Sequence, residues 1–234
     1  MITKRIRRRI RMTEVAQMPN LEKLLQKINE GRQYRNTAEL FRVAGEGEDG
    51  AMIVEGHAST FNQLYNLYDS AYYRIDEQVD PHAFDECDMS DVIMQYNHEG
   101  RVFARLSNQT LEVSTDQVGL YMRANLGGTT LGRQLYEEIK GGYTTKMSFG
   151  FRVDEDRIEE VEDLTTGKVT VIRTITKIGK LYDVSAVSLP ANDGTDISAR
   201  SFCDGLIERL KTERSDKRAN VQKLTEECLA LLSL

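Results

Sequence analysis

Hydrophobic and polar positions change period several times along the chain, and each change marks an element. Asn20 can cap a short helix with Leu21, Leu24, Leu25 and Ile28 at helical spacing, stopped near Gly31. From about residue 38 the period becomes two, so Leu40–Val43 and Met52–Phe61 read as strands around the glycine-rich turn Gly45–Gly50. The clearest alternation is Val118, Leu120, Met122, Ala124 and Leu126, with Gly119, Tyr121, Arg123 and Asn125 facing the other way; it predicts a half-buried antiparallel strand. Thr130 then caps a helix over Leu131–Lys140, with Leu131, Leu135 and Ile139 on one side and Gly141-Gly142 as its stop.

In Lys146–Val153, the residues Met147, Phe149, Phe151 and Val153 share one strand face, which places Ser148 on the other beside Gly150. The acid-rich stretch Asp154–Asp163 and the turn Thr165-Thr166-Gly167 read as a solvated hairpin tip leading into Lys168–Thr176. A last strand, Leu181–Leu189, ends at Pro190, and a charged helical tail of roughly residues 204–234 follows, carrying Leu206, Ile207, Leu210, Val221, Leu224, Cys228 and Leu232. Short strands around one or two packed helices predict an α+β domain on an antiparallel, β-barrel-like core with helical termini. The division expected is a basic arm and short helix over 1–37, a folded domain over 38–200 and a tail over 201–234.

Composition narrows the classes. The 234 residues are 40% hydrophobic with a net charge of −6, which suits a soluble globular chain and excludes collagen-like and fully disordered ones. No stretch approaches the ~18 consecutive apolar residues of a membrane helix, and no apolar h-region follows the charged start, so a cytoplasmic protein away from membranes is expected. The odd, widely spaced Cys87, Cys203 and Cys228 fit neither a disulfide framework nor a metal knuckle. Lys4, Arg5, Arg7, Arg8, Arg9 and Arg11 precede the first acid, Glu14. Such an arm attracts nucleic acid or an acidic surface, but without interleaved aromatics a solvated tail is the plainer reading.

Chemistry has few places to sit. No HxxxH or HExxH spacing occurs among His57, His82 and His98, and no lysine follows a P-loop glycine pattern, so neither a metal nor a cofactor is expected. Nucleophilic catalysis needs a Ser or Cys beside a histidine oriented by a carboxylate, neighbours only in space. Ser148 lies off the apolar face with Gly150 leaving room beside it. His98 ends an apolar run at a turn. Asp183 shares strand parity with Leu181, Val187 and Leu189, so its carboxylate points toward the core and needs a partner there. Read singly, a strand serine is usually plain surface and a turn histidine exposed filler.

In order, Ile53–Phe61, Val79-Asp80-Pro81-His82-Ala83-Phe84, Asn97-His98-Glu99, Gly119-Leu120, Lys146–Phe151 and Leu181–Asn192 resemble the head-maturation (prohead) proteases of tailed bacteriophages. These are serine peptidases similar in fold to the herpesvirus capsid-assembly protease, assemblin. The resemblance covers about residues 40–200, with His82 where the family tends to have glycine. It implies His98 as base, Ser148 as nucleophile and Asp183 as third member, at a position that is usually Glu in the family. It further implies a serine endopeptidase that cuts a scaffolding protein, or a scaffold segment of the major capsid protein, and itself. The place would be the procapsid in the host cytoplasm, and a homodimer is compatible with it. The oxyanion donors are expected from Gly141-Gly142 or from the turn after Gly100. The competing class is an inactive capsid or scaffold component of the same fold. A nucleic-acid binder ranks last, because the strands alternate with mixed charge and lack a basic, aromatic-rich face.

Overall fold

The computed structural model describes residues 31–36, 41–46, 50–188 and 197–232. The basic arm, the helix expected from Asn20, and Leu189-Pro190 lie outside the described residues. The strands are β1 (Gln33–Asn36), β2 (Arg42–Glu46), β3 (Met52–Thr60), β4 (Tyr65–Asp69), β5 (Tyr73–Val79), β6 (Ile93–Tyr96), β7 (Glu99–Arg105), β8 (Leu111–Thr115) and β9 (Gly119–Asn125). Helix α1 (Thr130–Lys140) follows, then the long strands β10 (Lys146–Glu162) and β11 (Val169–Val187), and helix α2 (Ile197–Leu232).

Two sheets form. One runs β1-β10-β11-β5-β4, with β6 also on β11 and β7 on β6; the other runs β2-β3-β9-β8. The α+β expectation therefore holds, whereas among the described residues the strands close into no barrel. Nor is the larger sheet purely antiparallel: β11 pairs antiparallel with β10 but parallel with both β5 and β6. The cause is its length of 19 residues. One strand serves two shorter neighbours in succession, β5 along Val169–Ile175 and β6 along Asp183–Ala186, and the chain between these two runs on in the same direction beside it, bridged where Asp88 meets Lys180.

The acidic stretch expected as a solvated tip is instead the second half of β10, paired with β11 out to Glu162. Its charges are met from the side. Arg173 Nε donates to Asp156 Oδ2 at 2.7 Å, and Arg209 and Arg214 of α2 hold Glu160 and Glu162. The turn itself shrinks to residues 163–168, where Gly167 takes a φ of +68°, accessible to glycine at no steric cost.

Most apolar side chains gather in one core between the sheets and α1, including Val54, Leu120, Met122, Phe149, Phe151 and Val184. Phe202, Cys203, Leu206, Ile207 and Leu210 of α2 pack with Leu67, Tyr73, Ile75, Val169 and Val171 in a second cluster, so the near half of the expected tail belongs to the folded body. Each such large side chain contributes roughly 1.5–3 kcal/mol. Helix α1 is capped one residue earlier than expected, by Thr129, whose hydroxyl accepts from the Gly132 N–H at 2.9 Å. Its buried side is Leu135, Tyr136 and Ile139, leaving Leu131 exposed.

Candidate functional site

His98 owes its place to a hairpin. Tyr96 of β6 pairs with Glu99 of β7, leaving Asn97 and His98 as the two central residues, with φ of +51° and +60°. Positive φ at both is what matches a two-residue turn to the right-handed twist of its strands. Asn adopts it readily, whereas His does so at a cost of about 1–3 kcal/mol. Asn97 also docks the turn on the end of β11: its N–H donates to the Ala186 carbonyl at 2.9 Å, and its Oδ1 accepts from the Ser188 N–H at 3.0 Å.

Ser148 and Asp183 come from the β10–β11 pair. Their register sets Ser148 opposite Ser185 and Gly150 opposite Asp183, which puts residues 148, 150, 183 and 185 on one face of the sheet. That face is covered: Ser148 is 1% exposed, against the expectation of an outward-facing residue. Asp183 is fully buried on this same face, not on the core side with Leu181 as its strand parity predicts, because the register shift between Gly150 and Phe151 breaks that parity. The His98 side chain, 13% exposed, keeps some contact with solvent.

The three side chains stand in series. His98 Nδ1 donates to Asp183 Oδ1 at 2.5 Å, and Ser148 Oγ donates to His98 Nε2 at 2.6 Å. The proton positions follow from chemistry, since an ionised carboxylate only accepts, so Nδ1 carries the hydrogen and Nε2 is left to take one. Burial raises the Asp183 carboxyl, but the hydrogen bond from His98, the Ser185 hydroxyl and the Arg32 guanidinium outweigh it and hold it below the ordinary carboxylate value. Asp183 therefore stays an anion at neutral pH.

Three neighbours of this series escaped the sequence reading. Ser185 Oγ donates to the same oxygen, Asp183 Oδ1, at 2.6 Å. Its signal was present, because residues 183 and 185 share a strand face. The Arg32 guanidinium pairs with Asp183 Oδ2, and the Tyr34 ring lies 4.2 Å from the His98 ring between centroids. Nothing local points to these two, since 151 residues separate Arg32 from Asp183. Gly150 has a steric role: a Cβ there would overlap Asp183 Oδ2 and lie 2.9 Å from Arg32 Nε.

Other groups fall elsewhere. His57 pairs with Asp116 at 2.8 Å and His82 with Asp85 at 3.0 Å, both toward solvent. Burial pushes the Cys87 and Cys203 thiols up to about 12, so neither supplies a thiolate near neutral pH. Among the described residues no three His, Cys, Asp or Glu side chains gather as a metal site. The segments expected to supply oxyanion donors are otherwise engaged: the chain after Gly100 runs on as strand β7 instead of turning, and the Gly141 and Gly142 N–H groups donate to the Glu137 and Ile139 carbonyls at 2.8 and 3.1 Å.

Compared with known proteins, the chain matches a family model described as caudovirus prohead serine protease over residues 39–206. No curated protein matches it, and no solved structure does.

Proposed function

The chain belongs to the caudovirus prohead serine protease family, and from that premise we propose that it is a serine endopeptidase with Ser148 as nucleophile, His98 as general base and Asp183 as orienting acid. One observation carries the reading: the unbroken series from Asp183 Oδ1 through the two nitrogens of His98 to Ser148 Oγ, with links of 2.5 and 2.6 Å. His98 Nε2 takes the hydroxyl proton as Oγ attacks the scissile carbonyl, then returns it to the leaving amine. Water repeats the cycle on the acyl-enzyme. Asp183 holds the imidazole tautomer and stabilises the imidazolium that forms. The oxyanion that forms needs backbone N–H donors, each worth roughly 2.7–4 kcal/mol.

The family description and this site together support a role in procapsid maturation. The substrates in this reading are a scaffolding protein or scaffold segment of the major capsid protein, and the protease's own ends, cut inside the procapsid in the host cytoplasm. Kinship in fold with assemblin, a homodimer and self-cleaved segments outside residues 38–200 belong to the same proposal.

Intact-mass spectrometry of wild-type and Ser148→Ala chains, each co-expressed with the neighbouring capsid protein, tests it. Truncation of either chain in wild type but not in Ser148→Ala is the expected result. Two full-length chains in assembled procapsids would move an inactive structural role ahead.

A further inference from the structure

Part of the Asp183 environment comes from ahead of the family-matched segment, which begins at residue 39. Strand β1 lies antiparallel along β10, with Asn36 opposite Ser148, Tyr34 opposite Gly150 and Gln33 opposite Phe151. It is fastened from beneath. Arg35 Nε donates to Glu77 Oε1 at 2.5 Å and Arg35 Nη2 to Glu77 Oε2 at 3.2 Å, while Arg173 Nη1 reaches Glu77 Oε2 at 2.6 Å; all three side chains are buried. Removing one partner would leave an uncompensated buried charge, so β1 is held in place and does not lie loosely over the site.

That anchorage aims Arg32. Its guanidinium sits between the rings of Tyr34 and Tyr182, at 5.2 and 4.9 Å from their centroids, and rests on Asp183 Oδ2. The missing side chain at Gly150 opens the space through which the contact is made. Oδ1 already receives His98 Nδ1 and the Ser185 hydroxyl, so Arg32 holds the oxygen that would otherwise be free to rotate toward His98 in place of Oδ1. Resting on the proposed protease reading, we propose that Arg32 is a positioning residue: through β1 it fixes the Asp183 carboxylate with Oδ1 toward His98, making the segment ahead of the family-matched region part of the active site.

The charge has a second effect. The Arg32 cation helps hold the Asp183 carboxyl down, so removing it lets the carboxylate take a proton at higher pH and moves the acid limb of the reaction the same way. Around Asp183 and His98 stand Arg32, Tyr34 and Tyr182, with Ser148 and Ser185 of the site itself.

The test measures the rate at which a fluorophosphonate labels Ser148 between pH 5 and pH 9 in the full chain, located by peptide mass mapping, with Ser148→Ala as blank. Arg32→Met keeps the stem between the two tyrosines but drops charge and donors; Arg32→Lys keeps the charge. The Arg32 side chain is 33% exposed, so both variants are expected to fold, and circular dichroism checks it. Arg32→Met should label about 10–100-fold more slowly at pH 7, as expected for a misplaced catalytic group, with its acid limb moved to higher pH. Arg32→Lys should recover much of both, and a merely structural role moves no limb. Wild-type rate and limb in Arg32→Met would overturn the proposal, as would a rate above wild type, which would make β1 a shield over Ser148. Failure of the wild-type chain to label at Ser148 would remove the protease reading itself and this proposal with it.

Discussion

Gly150 and Asp183 face each other across β10 and β11, and the carboxylate fills the volume that a Cβ at position 150 would take. The acid therefore reaches His98 from a fully buried position only because its cross-strand partner has no side chain. Gly150→Ala should displace Asp183 or splay the strand pair, at about 1–3 kcal/mol for overpacking. Because small misplacements in a reacting site cost about 100-fold, cleavage should fall by that factor while the chain stays folded. Self-trimming at wild-type rate in a folded Gly150→Ala chain would refute the steric account.

The same fit bears on the choice of acid. Asp183 meets His98 at 2.5 Å with no room behind it, so Asp183→Glu should lower activity although the charge is kept. Asp183→Asn should cost more, about 10⁴-fold in kcat, because an amide favours the wrong imidazole tautomer. Kinetics on one peptide substrate would rank the two; an Asp183→Glu chain as active as wild type would show that the site has slack.

Ser185 gives Asp183 Oδ1 its second donor, and both residues are fully buried. A hydrogen bond to a charged group is worth about 1.5–3 kcal/mol. Ser185→Ala should lower stability by about that amount in urea titrations and kcat/KM by about tenfold. Ser185→Thr keeps the hydroxyl and should recover part of both. An unchanged kcat/KM in Ser185→Ala would leave the residue a structural role only.

Glu77 ties stability to pH. Burial raises its carboxyl, but Arg35 and Arg173 outweigh this and hold it at about 2, against an ordinary value of 4.5. A carboxyl depressed on folding binds protons more readily in the unfolded chain, so its contribution is complete above the unfolded value and lost as pH falls toward 2. At 1.36 kcal/mol per unit the amount is about 3 kcal/mol. The urea midpoint should fall between pH 5 and pH 3 in wild type. Glu77→Gln should be less stable at pH 7 and flatter through that window, and a wild-type midpoint that ignores this window would contradict the assignment.

Much of this protein was legible from local pattern. Period two in Gly119–Asn125 and Lys146–Val153 and helical spacing with a glycine stop over Leu131–Lys140 concern neighbours in the chain, where side-chain direction follows directly from backbone geometry. The bulge beside Gly150, by contrast, turned Asp183 to the face opposite to the one its parity indicated. His98, Ser148 and Asp183 were nominated from such local cues and from family resemblance, and the fold brings their side chains into hydrogen-bond reach.

What the sequence left open depended on long-range pairing. The acid-rich run became strand because Arg173, Arg209 and Arg214 arrive from β11 and α2 to meet its charge, which no window of adjacent residues displays. The barrel gave way to two sheets because one strand of 19 residues recruits β5 and β6 in parallel. Strand β1 has four residues and no pattern of its own; its place is decided by the buried Arg35–Glu77 pair and the open edge of β10. Composition and periodicity thus determined an α+β chain and the resemblance singled out Ser148, His98 and Asp183, while tertiary pairing alone decided what surrounds them, because charge compensation and strand register are settled between residues far apart in the chain.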